Sequence, residues 1–427
     1  MLRPLLLALI CLTAEGCREQ AKLSTESEVP SINPRAAVKL TILLVDDPEL
    51  AKGIELLSGE WSERSGGELT IESISKEDFL AAEHLNADVV IYPSRLLGTL
   101  VMRDWLRPVR QSVLDSSDLA YSDILPVIRD QTMRYGGEVW GVPLGEMPLC
   151  LGWTGDTQAK LPATWEQLAE LPFPRRSEFK LAIEFPLAAE LIARAVAATP
   201  RGNRAALFFD PETMDARLNQ PQIVRALEQM RGVITKDASK EKFAANVTLP
   251  PRGKQFNYQL TPLLPADETF DLSLNRWEKS TIAAPPVICG FSGRLVSVTR
   301  STRNAASAFK LLPWLVSGNT GSQLSQRSKS TLWFRTSQVS QAVKWLPAKS
   351  AAENADWLTR ALSTRDAYLL PRLPGIDDYL ATLDKALADA PSAEALTVAE
   401  KKWDTLTESQ GRVQQLKAFR LHLGLPE

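Results

Sequence analysis

From Val38 onward, apolar residues fall into short blocks whose period alternates between that of a strand and that of a helix. Leu40–Val45 is a continuous apolar run, as expected of a strand covered on both faces. Asp46-Asp47-Pro48 ends it and caps a helix on which Leu50, Ile54, Leu57 and Trp61 form one stripe. Leu69–Ile74 predicts a second strand, Lys76–Leu85 a second helix, and Ala87–Tyr92 a third strand that turns through Pro93-Ser94 into a further helix. Strands alternating with helices predict a parallel sheet wound by crossover helices. Ligands then sit beyond the carboxyl ends of the strands. Those ends carry Asp46, Asp47, Tyr92, Ser94 and Arg95.

The pattern breaks at YGGEVWGVPLGEMPLCLGWT, Tyr135 to Thr154. Two short apolar strands, Val139–Pro143 and Leu149–Trp153, flank a bend that holds Gly145 and Glu146 between two prolines. This reads as a passage between two lobes, stiff enough to define a path and irregular enough to flex. A helix over Thr164–Leu171 with a capping box follows, then a strand at Lys180–Glu184 and an Ala-rich helix at Pro186–Ala198. Pro221 opens another helix, carrying Ile223, Leu227, Met230 and Ile234. Residues 236–265 are polar and proline-rich and read as loop, and Phe270–Leu274 reads as a strand with Trp277 just beyond it. In Val287–Thr299 a bend with Gly290 and Gly293 precedes a strand. The tail predicts helices at Asn354–Ser363, Gly375–Ala388 and Ala393–Leu406.

The 427 residues exceed one ordinary core, so two lobes are expected. A near balance of 49 basic and 51 acidic residues argues against a nucleic-acid binder, which needs a basic face. The first residues read as a targeting segment: Arg3, then an apolar Leu5–Leu12 too short to span a bilayer, then Ala14-Glu15-Gly16-Cys17. Two readings of its end compete, a lipoprotein signal cut before a lipidated Cys17 and an ordinary secretory peptide cut after Gly16. The first is favoured, because a cysteine just past the apolar stretch is otherwise an odd choice. Residues 18–37 read as a flexible tether. An oxidising compartment permits a Cys150–Cys289 disulfide, and two buried free thiols are the alternative.

The residues offer little for catalysis. There is no G-x-S-x-G elbow, no P-loop and no dinucleotide-binding glycine pattern, and two histidines with four cysteines leave scant material for a metal site. His84 and His422 read as surface or core-edge residues on helices. Asp377-Asp378 reads as decoration of a helix N-terminus. Neither a catalytic residue nor a cofactor is expected. Binding residues fare better: a sugar presents hydroxyls to Asp, Glu, Arg and backbone N–H, and flat C–H faces to Trp or Tyr. Most of the eleven tryptophans fall on helix stripes and read as core; Trp153, which ends a strand, and Trp277, which follows one, are set apart.

The passage Tyr135–Thr154 followed by LPATWEQLAEL resembles the family 1 extracellular solute-binding proteins, the sugar-type receptors of ABC importers. The resemblance extends to the opening strand–helix unit, to ADVVIY through WLRPV, to NQPQIVRALEQM, to VICGFSGRLVSVT, and to YLLPRLPGIDDYLATLDKAL with AEALTVAEKKW. It covers about residues 38–425 and implies an α/β, two-lobed type II periplasmic-binding fold with a hinge. Residues 38–145 with about 294–335 would form one lobe, and 146–293 with about 336–427 the other. The candidate ligand set, from the strand ends and bends together with the resemblance, is Asp46, Asp47, Tyr92, Ser94, Arg95, Glu146, Trp153, Trp277, Gly290, Ser292, Arg372 and Tyr379. Its partners would be a small molecule, a carbohydrate by preference, and the membrane permease of an importer, met by a monomer. An interaction or sensory lipoprotein on the same fold is the rival reading, favoured by the poorly matched 236–265; an enzyme on this fold is disfavoured.

Overall fold

The computed structural model describes residues 38–146, 148–154, 165, 174–176, 184–231, 256–262, 287–328, 331, 333–338, 355, 358–364, 366–389 and 392–426. The targeting segment, Cys17 and the tether lie outside these residues, as do Trp277, the strand expected at Phe270–Leu274 and most of the helix expected at Thr164–Leu171. Among the described residues no helix is long and apolar enough to cross a membrane.

The chain opens with β1 (Lys39–Val45), α1 (Pro48–Glu55), α2 (Ser58–Ser65), β2 (Glu68–Ile74), α3 (Lys76–Ala81), β3 (Val89–Pro93) and α4 (Leu97–Met102). Each start has a local cause. Asp47 accepts from the Leu50 N–H and caps α1, and Ser75 accepts from the Asp78 N–H and caps α3. A hairpin, β4 (Arg134–Tyr135) and β5 (Glu138–Val139), leads to β6 (Val142–Gly145). The main sheet runs β2-β1-β3-β11-β6, with β11 being Arg294–Val298. β1 is parallel to β2 and β3, as the alternating pattern predicts, whereas β11 returns late in sequence and pairs antiparallel with β3 and β6. Leu40, Ile42, Val89, Ile91 and Val296 are buried in the resulting core, beneath α1, α2 and the helix α6 (Ala305–Leu315). Trp61 and Trp314 pack there with ring centroids 5.5 Å apart.

A second apolar core holds the rest. β7 (Leu149–Thr154) pairs antiparallel with β9 (Phe256–Pro262), and β8 (Pro174–Arg176) lies parallel to β9. The strand β9 corrects the expectation of loop through 236–265: Phe256, Tyr258 and Leu260 alternate with polar residues, and that period carries the strand despite the neighbouring prolines. Helix α5 (Pro186–Ala198) packs against α8 (Ile376–Asp389), which in turn packs on α9 (Ala393–Ser409), and α10 (Arg412–His422) closes the chain. Phe209 stacks on Trp403 at 5.0 Å and meets Tyr379 and Phe419 edge-on, so this core is aromatic at its centre. A short parallel pair, β10 (Val287–Cys289) with β12 (Ala367–Leu369), lies where the two cores meet: Cys289 and Leu369 pack in the first, Ile288 and Tyr368 in the second. Leu358 and Leu362 pack in the first core, although the sequence reading assigns 336–427 to the second lobe.

Candidate ligand-binding cleft

The carboxyl ends of β2 and β3 face the starts of α5 and α8, and four charged side chains meet there. Lys76 stands at the first turn of α3, held by the Ser75 cap, and Arg95 lies two residues past the end of β3. Opposite them, Glu184 precedes α5 and Asp377 occupies the first turn of α8. The Arg95 guanidinium grips Asp377 with two prongs, Nε–Oδ1 at 2.6 Å and Nη2–Oδ2 at 3.2 Å, and reaches Glu184 Oε2 at 2.5 Å. Lys76 Nζ lies 2.8 Å from Asp377 Oδ2 and donates to Glu184 Oε1. Arg95 also donates to the Phe291 carbonyl, and Lys76 lies 6.0 Å from the Phe185 ring centroid. The first lobe supplies the cations and the second supplies the anions.

Burial alone would raise the Asp377 carboxyl, but the Arg95 guanidinium and the Lys76 ammonium outweigh it and hold the group below its usual range. Burial likewise opposes the charged forms of Lys76 and Arg95, and the two carboxylates reverse that, raising both. The cluster is therefore a mutual stabilisation of charges across the cleft, with the side chains of Lys76, Arg95 and Asp377 largely withdrawn from solvent.

Beneath it lies the hinge. Glu146 follows β6 directly and is fully buried; its Oε1 accepts from the Gly290 N–H at 3.0 Å and its Oε2 from Ser94 Oγ at 3.3 Å. One carboxylate thus ties the first passage between lobes to the second. Gly290 has φ 102°, and a Cβ on Gly293 would stand 2.0 Å from Glu146 Oε2, so this contact requires glycine at both positions. Burial pushes the Glu146 carboxyl up to about 7, against the Gly290 and Ser94 hydrogen bonds and the Arg372 charge that pull it down. A carboxyl whose pKa is raised in the folded state makes the fold lose stability as pH climbs from its unfolded value, 4.5, to about 7. Glu146→Gln is therefore expected to flatten the fall in stability over that window. Urea denaturation of both proteins at pH 5 and pH 8 measures it; parallel losses would place the titration elsewhere.

Of the twelve residues that the sequence nominates, Arg95 lies in the charged cluster, and Ser94, Glu146 and Gly290 meet just below it. Ser292 is half-buried in the same bend. Asp46 and Asp47 are engaged by the protein itself: Asp47 by the α1 cap and by Arg294 Nε at 2.8 Å, Asp46 by the Lys76 N–H at 3.0 Å. Three others belong to packing. Tyr92 is buried in the sheet with its hydroxyl 2.8 Å from Ser297 Oγ. Tyr379 is buried in the second core with its hydroxyl 3.0 Å from Thr407 Oγ1. Arg372 is buried, donating to the carbonyls of Thr132 and Arg134, with its Nε 3.4 Å from His422 Nδ1. The side chains of Trp153 and Cys150 lie outside the described residues, and Cys289 is a free, buried thiol.

Sequence reasoning missed Lys76, Glu184 and Asp377. A lysine in the first turn of a helix works against the helix dipole, so Lys76 carried a signal that some other anion holds it. Asp377 and Glu184 carried none, because carboxylates at helix starts need no further explanation.

No family model matches the sequence, and no curated protein matches it. Solved structures do match. The sugar-binding protein MalE from the phytopathogen Xanthomonas citri aligns at TM-score 0.65 and 15% identity, over 87% of this chain and 98% of that one. The fold is that of ABC-transporter sugar-binding proteins. A solute-binding protein from Agrobacterium radiobacter K84, in complex with ribitol, aligns at TM-score 0.60 and 15% identity over 86% and 98% of the two chains. One from Thermotoga lettingae TMO, bound with α-D-tagatose, aligns at 0.61 and 15% over 86% and 99%. The cluster of Lys76, Arg95, Glu184 and Asp377 joins residues flanking the two apolar cores of this fold.

Proposed function

We propose that the chain is an extracytoplasmic solute-binding protein that takes a sugar or polyol between its two lobes and delivers it to an ABC-type importer. The observation that carries this reading is the convergence of hydrogen-bonding charges from both lobes beyond the carboxyl ends of β2 and β3. Carboxylates and guanidinium groups are strong partners for hydroxyls, and a ligand that engages both sides stabilises the closed form. The sugar- and polyol-bound relatives of the fold support the ligand class. The leader at Arg3–Leu12 and Cys17 supports export and lipid anchoring. The function assigned is binding without a chemical step.

The direct ion pairing across the cleft favours one alternative, an interaction or sensory lipoprotein whose lobes close without a small molecule. A thermal-shift screen of the full chain against mono- and oligosaccharides and polyols separates the two. A ligand present at a hundred times its dissociation constant is expected to stabilise by about 2.7 kcal/mol and raise Tm visibly. Silence across the whole panel would favour the alternative.

A further inference from the structure

A cavity of about 420 Å³ opens at the junction of the two lobes and shares no residue with the cleft cluster. Its walls come from the β4–β5 hairpin of the first lobe, from the segment around Arg201–Ala205 of the second, and from β12 and the end of α10. Four arginines line it: Arg134, Arg201, Arg204 and Arg372. Two of them are held by neutral acceptors. Arg134 donates to the Gly137 carbonyl at 3.0 Å and to the Tyr121 hydroxyl at 3.3 Å. Arg372 donates to the Thr132 and Arg134 carbonyls, faces His422 and lies over the Tyr135 ring; burial pulls its guanidinium down to about 10, although the Glu146 carboxyl acts in the opposite direction. The one carboxylate in the wall, Asp130, is gripped by Arg129 at 2.9 and 3.1 Å. Asp366, which pairs with Arg204 and lies 4.0 Å from Arg201, stands outside the wall.

We propose that this cavity is a second binding site, specific for a small oxyanion-bearing solute such as a phosphate ester, held by Arg134 and Arg372 from one side and by Arg201 and Arg204 from the other. Guanidinium groups suit phosphate oxygens in geometry and charge. Because both lobes contribute walls, an anion here fixes their spacing at the hinge as well as filling the cavity.

Calorimetric titration of the full chain with inorganic phosphate, in a phosphate-free buffer, tests the site. Saturable binding is expected, weakened at least tenfold by Arg134→Gln and by Arg201→Gln. Arg201 is mostly exposed, so its variant is expected to keep the wild-type melting curve. No saturable binding, or equal affinity in both arginine variants, would overturn the proposal. So would a loss confined to Arg95→Ala, which would place the anion in the cleft.

Discussion

Arg372→Ala is expected to lower the unfolding free energy by about 3–5 kcal/mol, the scale seen when one member of a buried charged network is removed. Arg372 is fully buried between the lobes. Its loss leaves the carbonyls of Thr132 and Arg134 without this donor, and His422 without the group that faces its Nδ1. Each buried polar group left unsatisfied costs about 1–3 kcal/mol. The packing around it is tight as well: a Cβ on Gly98 would stand 1.8 Å from the Arg372 carbonyl oxygen, so the backbone there cannot collapse inward to fill the space. Equilibrium denaturation in urea measures the loss. A change under about 1 kcal/mol would mean that water replaces the arginine readily, and that Arg372 faces solvent as a cleft residue would.

The second large effect concerns closure. Asp377→Ala removes the carboxylate that both Lys76 and Arg95 grip, leaving two withdrawn cations facing the half-exposed Glu184. Breaking a buried ion pair from one side costs about 3 kcal/mol or more, which moves a two-state equilibrium by roughly a hundredfold. The variant is expected to populate an open form, with a larger radius of gyration in small-angle scattering than the unliganded wild type. Equal radii would show that the ion pairs do not hold the lobes together. The pH dependence has a definite sign. Asp377 is depressed in the folded state, so its contribution is present above the ordinary carboxylate pKa and is lost as pH falls through the folded value. The cluster therefore persists at neutral pH and weakens in acid, and again in strong base where Lys76, raised in the folded state, gives up its proton.

The fold was legible because its signals are local. Leu40–Val45 and Val89–Ile91 form the parallel strands that their unbroken apolar runs imply, and Pro186 opens α5 where an N-terminal proline belongs. The place of β11 between β3 and β6 was not legible, since nothing within Arg294–Val298 specifies partners two hundred residues earlier. The site was legible only in part for the same reason. Arg95 and Glu146 stand out in the sequence because a strand end and a bend mark them, whereas the partners that engage them come from α8, from the start of α5 and from the Gly290 bend. Tyr92 and Tyr379 are taken up by the two cores, because the side of a strand or helix that meets a distant element is a tertiary property. Their hydroxyls suit a ligand, but here they meet Ser297 and Thr407.

On the proposed function, Arg95 and its neighbours hold a sugar or polyol between the lobes. The most direct test is a calorimetric titration of wild type and Arg95→Ala with the compound that gives the largest thermal shift. One site per chain is expected in the wild type, and a loss of about 2–4 kcal/mol of binding free energy in the variant, with its far-ultraviolet spectrum unchanged. Equal affinity in the two proteins would contradict it, since the ligand would then be held away from the cluster on which the two lobes meet.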